Sequence, residues 1–161
     1  MRQIYDRWAR GDFRAGTERY DPYVLLVLRA EFPDAWAYCG EAEIGKYMRE
    51  DFLADWEGAS IAREEFLDAG DSVVVRVRQR RTGPGGRAPV EMRYYQVSTL
   101  RGSSVIRIES IRAREEALEA VGCASGRSVA PLACEEVRRA SPGHDPGRED
   151  RCSSPGLGRI H

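Results

Sequence analysis

Arg107 and Glu109 stand two residues apart in Ile106-Arg107-Ile108-Glu109, a run in which apolar and charged residues alternate. In an extended strand that spacing puts both side chains on one face. If the face is enclosed, burial and the neighbouring arginine set the carboxylate's pKa, and Glu109 becomes a candidate general base. Glu65 is a second candidate and Glu91 a third carboxylate of the same kind, with Tyr38, Tyr94 or Tyr95 as the donor to a substrate oxygen. The catalytic candidates are therefore Glu65, Glu109 and Arg107. A His-Asp dyad has no candidate in the first part of the chain, because the two histidines are His144 and His161. The plainer reading of the same charges is a solvated or dimer-forming outer face.

Five aromatic residues are the ligand-binding candidates: Trp36, Tyr38, Trp56, Tyr94 and Tyr95. Aromatic walls suit a flat apolar ligand, although each of these side chains could equally be plain core. Tyr94 and Tyr95 are neighbours on a strand, so only one can face the core and line a pocket. Cys39 reads as a small core residue, since no His or Lys is expected beside it to lower its pKa. Gly83, Gly85 and Gly86 surround Pro84 in a hairpin loop, which lacks the strand-to-helix context of a phosphate loop.

Positioning these groups requires a framework of helices and long strands. Ile4, Tyr5 and Trp8 mark a first helix over about 1–10, ended by Gly11, and a short helix is expected over 13–20 before Asp21-Pro22. Tyr23 to Leu28 suits a strand buried on both faces, and Ala37 to Cys39 leads into a central helix over about 41–56. Ile44, Tyr47, Met48, Phe52 and Trp56 form its apolar stripe. Four strands follow, at about 61–68, 72–81, 90–100 and 104–111, with Ala69-Gly70-Asp71 turning the first pair. Val73, Val75 and Val77 share one strand face and Arg76, Arg78 and Arg80 the other, so arginines and glutamates should pair across strands. Ile106 and Ile108 should likewise share a face, and a last helix over 115–121 is expected to be capped by Gly122.

The chain has 161 residues, enough for one domain with a real core. Every Trp, Tyr and Phe lies at or before Tyr95, and residues 123–161 combine Ser-Pro-Gly and Asp-Pro-Gly steps with no aromatic residue. That segment is expected to be a disordered, dispensable tail. The formal net charge is −1 and no basic patch emerges, which argues against nucleic acid. Cys39 stands alone in the first 122 residues, which suits a reducing cytoplasm. No run is long enough to span a bilayer, no signal sequence is seen, and no motif calls for a metal, nucleotide or haem, so no cofactor is expected.

The segments Tyr38-Cys39-Gly40-Glu41-Ala42-Glu43-Ile44, Glu64 to Arg78 and Arg114 to Gly122 together resemble a SnoaL-like domain of the nuclear transport factor 2-like superfamily. The resemblance covers nearly all of residues 1–122 and includes the Gly11-Asp12 step, the Tyr-x-Gly lead into the central helix and the closing Glu-Glu-Ala-Leu-Glu-Ala helix. It implies an α+β cone, in which a curved antiparallel sheet wraps around helices and leaves a pocket at its wide end. It also implies a first helix truncated relative to the family, and a homodimer through the outer sheet face. Within the superfamily, epoxide hydrolases pair an arginine with acidic residues, ketosteroid isomerases use Tyr with Asp, and dehydratases and many cyclases use His with Asp. Three functional expectations follow: a pocket for a small, largely apolar molecule; an acid/base enzyme of cyclase, isomerase or hydrolase type; or an accessory module with a vestigial pocket.

Overall fold

The computed structural model describes residues 1–126, with side chains to Gly122, so most of the expected tail lies outside the described residues. The first helix, α1 (Arg2–Trp8), is shorter than its pattern suggested and buries Tyr5 and Trp8, three residues apart on one face. No helix follows over 13–20, where the chain turns instead and makes a single 3-10 turn at Thr17–Arg19. Gly16 explains the break: its φ of +91° is left-handed, and a Cβ there would meet Ile4 Cδ1 at 2.6 Å. The indole of Trp8 donates to the Ala15 carbonyl at 3.0 Å, which ties the turn back to α1.

Strand β1 (Tyr20–Leu28) begins earlier than its apolar run, and Tyr23 is 78% exposed, so burial on both faces holds only over residues 24–26. Ala37–Cys39 is a strand in its own right, β2, paired antiparallel with β1. The central helix α2 (Gly40–Tyr47) stops well short of Trp56 and passes into one wider π-type turn at Met48–Phe52. Ile44, Tyr47 and Phe52 are all buried. The last two are five residues apart, a spacing that a regular α-helix would splay and a π turn stacks.

Four strands complete the sheet: β3 (Gly58–Asp68), β4 (Ser72–Thr82), β5 (Val90–Arg101) and β6 (Ser104–Ile111). The order is β2-β1-β6-β5-β4-β3, antiparallel except that β1 runs parallel to β6. Irregularities between Arg63 and Glu65 on β3 and between Thr99 and Leu100 on β5 add local twist, which helps this open sheet to curl. The second one also changes the phase of β6: Val105 shares the buried cluster of Ile108, and Ile106 sits at the irregularity, half-buried. The last helix, α3 (Arg114–Gly126), continues past the expected cap at Gly122.

Two apolar clusters divide the sheet. On the concave side Val73, Val75 and Val77 pack with Tyr5, Trp8, Ile44 and Tyr47, so α1 and α2 lie inside the curl. On the convex side Val74, Val97 and Ile111 pack with Ala117 and Val121 of α3. Arg76 and Arg78 occupy the part of the convex face that α3 leaves to water, as alternation requires. Glu64, the extra residue at the β3 irregularity, gathers Arg76 at 3.4 Å, Arg78 at 3.9 Å and Arg93 at 3.0 Å. These pairs are solvent-exposed and each contributes little to stability.

Candidate functional site

A cavity of about 210 Å³ lies between α2 and the concave face. Its wall is mostly apolar: Phe32 comes from the loop after β1, Tyr47, Met48 and Phe52 from α2 and its π turn, and Leu28, Ile61, Met92 and Tyr94 from strands. Five further polar side chains converge on it, namely Asp34, Gln79, Arg81, Gln96 and Ser110. Four of these are strand residues placed there by alternation. Gln79 and Arg81 continue the Val73, Val75, Val77 series along β4, and Gln96 follows Tyr94 along β5.

Hydrogen bonds hold most of this polar set in place. The Tyr47 hydroxyl donates to Asp34 Oδ2 at 2.6 Å, and the Tyr94 hydroxyl to Gln79 Oε1 at 3.0 Å. The Tyr5 hydroxyl donates to Gln96 Oε1 at 3.0 Å from beneath the sheet. Tyr38 stacks on Tyr47 with ring centroids 4.4 Å apart, and Phe32 meets Tyr94 edge-on at 5.3 Å. Burial raises the pKa of Tyr94, while burial and then the bond to Asp34 raise that of Tyr47. Burial also pushes Tyr38 up to about 12. All three phenols therefore stay protonated near neutral pH, and those of Tyr47 and Tyr94 act as donors. Arg81 differs from its neighbours: Nε is buried without a hydrogen-bond partner, and the guanidinium lies 4.6 Å from the Trp56 ring centroid and 5.4 Å from that of Phe52.

No protein-family model matches the chain, and no curated protein matches it in sequence. Solved structures do match in shape. TerC, co-crystallised with polyporic acid, superposes with a TM-score of 0.57 at 20% identity, covering 74% of this chain and 92% of its own. A nuclear transport factor 2-like protein of unknown function from Burkholderia pseudomallei gives 0.58 at 19%, with the same coverage. A protein from Jannaschia provisionally assigned as a SnoaL-like polyketide cyclase gives 0.55 at 18%, covering 74% of this chain and 86% of its own. This chain has the nuclear transport factor 2-like fold.

Within the nuclear transport factor 2-like fold, the residues singled out from sequence fall in different places. Tyr94 lines the cavity, whereas Tyr95 faces the opposite side and packs against the α3 cluster. Tyr38 backs the wall through Tyr47. Trp56 braces Arg81 and borders a separate hollow with Glu57, Pro84 and Arg87. Trp36 is half-buried and its carbonyl accepts from the Leu28 amide at 2.8 Å, a strand-pairing role beside β1.

The acidic candidates lie on the outer side of the sheet. Glu109 is clamped between Arg29 at 2.7 Å and Arg107 at 3.2 Å, and Arg29 also reaches Glu116 of α3 at 2.8 Å. Its strand neighbour Ser110 is the residue that faces the cavity. Glu65 is largely exposed beside Arg76, and Glu91 pairs with Arg93 at 2.7 Å. Among the described residues, the carboxylate that lines the cavity is Asp34, which was not among the residues singled out from sequence. The signal for Gln79 and Arg81 was present, because the two-residue period of the valine series runs straight on to them. Cys39 is disulfide-bonded and so offers no free thiol. Among the described residues no group of three or more His, Cys, Asp or Glu side chains could hold a metal ion, and no helix is long and apolar enough to cross a membrane.

Proposed function

We propose that this protein binds a small, largely apolar molecule in the cavity between α2 and the concave face. The observation that carries the reading is the wall itself: apolar and aromatic over most of its surface, with a few fixed polar groups, the usual composition of a small-molecule site. The volume, about 210 Å³, is below the usual range for drug-sized ligands, which favours a compact one-ring or small two-ring molecule. TerC, of the same fold, was co-crystallised with polyporic acid, which lends support to a small-molecule reading.

A specific observation favours acid/base chemistry as a second reading. Asp34 and Tyr47 form a 2.6 Å carboxylate–phenol pair in the cavity wall, with Tyr94 in the same wall as a further protonated donor. Asp34 would take a proton from a bound carbon acid or hydroxyl, and a phenol would donate to the oxygen that gains charge.

The first test is thermal shift of the full chain against one-ring aromatics, fatty acids and small polar metabolites. A ligand at a hundred times its Kd adds about 2.7 kcal/mol of stability, a readily measured shift. Ring compounds are expected to stabilise the protein, and Met92→Trp, which fills the cavity, to abolish the effect. Absence of any stabilising ring compound, or binding that persists in Met92→Trp, would reject the cavity as the site. For any bound compound that turns over, Asp34→Asn should slow the reaction by about 10²- to 10⁴-fold. Glu109→Gln should leave the rate unchanged, and the reverse pattern would move the chemistry to the outer face.

A further inference from the structure

Among the described residues, two buried side-chain polar atoms have no hydrogen-bond partner: Ser72 Oγ and Arg81 Nε. Ser72 carries no charge and opens β4 at the hairpin, away from the cavity. Arg81 lines the cavity and is permanently cationic. On the convex face Arg76, Arg78 and Arg93 are each matched to a glutamate and Arg80 is exposed to water, whereas Arg81 is partly buried and, among the described residues, enters no salt bridge. Asp34, the carboxylate that shares its cavity, is engaged by the Tyr47 hydroxyl.

A partly desolvated guanidinium without an acceptor is costly unless something supplies one. Trp56 and Phe52 lie near Arg81 as cation–π partners, an interaction that stabilises the charge but accepts none of its in-plane N–H bonds. Nε has almost no accessible surface, so the donors a ligand can reach are the two terminal nitrogens, which match a carboxylate end-on in two parallel hydrogen bonds. We infer that the ligand of this cavity is a compact apolar monocarboxylate, its acid group paired end-on with the terminal nitrogens of Arg81 and its apolar body packed among Met48, Met92 and Tyr94. This specifies the ligand class within the reading above and rests on it. Asp34 forms no salt bridge with Arg81 and so leaves the guanidinium to the ligand, while its negative charge in the same cavity disfavours a second acid group on that ligand.

Matched probes test the inference on the full chain: benzoate and cinnamate against benzamide, cinnamamide and benzylamine, measured by calorimetry and thermal shift. The acids are expected to bind about 10- to 100-fold more tightly than the amides, the usual range for a charge-assisted bidentate pair. In Arg81→Gln that advantage should vanish while amide binding persists, and Arg81→Lys should restore part of it. Retained amide binding in Arg81→Gln also shows that the variant is folded. Acids and amides binding alike, a preference for benzylamine, or an acid preference that survives Arg81→Gln would each overturn the monocarboxylate assignment and leave the cavity reading standing. Failure of every probe in the native protein, together with a negative wider panel, would reject the cavity reading itself and this assignment with it.

Discussion

Tyr5→Ala is expected to lower stability by about 3–5 kcal/mol, the range for truncating a large buried aromatic side chain. Tyr5 is 1% exposed, meets Trp8 edge-on at 5.0 Å and reaches across the concave side to Gln96. The helix that carries it has seven residues, too few to persist on its own, so its position depends on what it buries. Truncation opens a void beneath the sheet and leaves Gln96 Oε1 without its donor. Tyr5→Phe separates the two losses: it keeps the ring and should cost only about 1–3 kcal/mol, the penalty of a buried acceptor left unpaired. Equilibrium urea denaturation of the three proteins measures both differences. A Tyr5→Ala cost under about 1 kcal/mol would mean that α1 is not docked through this residue.

Alkaline pH should produce a loss as large. Tyr5 and Tyr94 are both buried, and burial raises the pKa of each well above its ordinary value near 10. Because the folded value lies above the unfolded one, their contribution is complete below about pH 10, where both states keep the proton. Above that point the unfolded chain releases protons that the native state retains, and stability falls by about 1.4 kcal/mol per pH unit for each phenol. The two together remove roughly 5 kcal/mol between about pH 10 and 12, a large share of a typical domain's stability. Tyr20 and Tyr38, each pushed up to about 12 by burial, shift in the same sense. Denaturation midpoints at stepped pH, alongside tyrosinate absorbance, should show the steep loss beginning near pH 10 and a shallower slope in Tyr94→Phe. A flat profile from pH 10 to 12 would contradict the burial of these hydroxyls.

The long alternating strands were legible because each residue's face is set by its own position. Val73, Val75 and Val77 point inward and Arg76 and Arg78 outward, whatever the partner strands do. Irregularities interrupt that logic where a partner strand demands it: Val105, not Ile106, joins Ile108 in the core, since the phase of β6 changes opposite Thr99 and Leu100. The stripe from Ile44 to Trp56 suggested one helix, yet the π turn at Met48–Phe52 follows from how Phe52 packs beneath the sheet, a tertiary demand that periodicity does not encode.

The site divides along the same line. Sequence alone specified an α+β architecture with one apolar and one charged sheet face, and it established that only one of Tyr94 and Tyr95 could enter a pocket. It could not rank the carboxylates, because strand alternation assigns a residue to a face without saying which face is enclosed. The tertiary structure decided that: α3 and four arginines (Arg29, Arg76, Arg93 and Arg107) cover or neutralise the side bearing Glu65, Glu91 and Glu109, while α2 closes the other side over Asp34 and Arg81. Enclosure is a property of elements far apart in the chain, and the environment of each charged group follows from it.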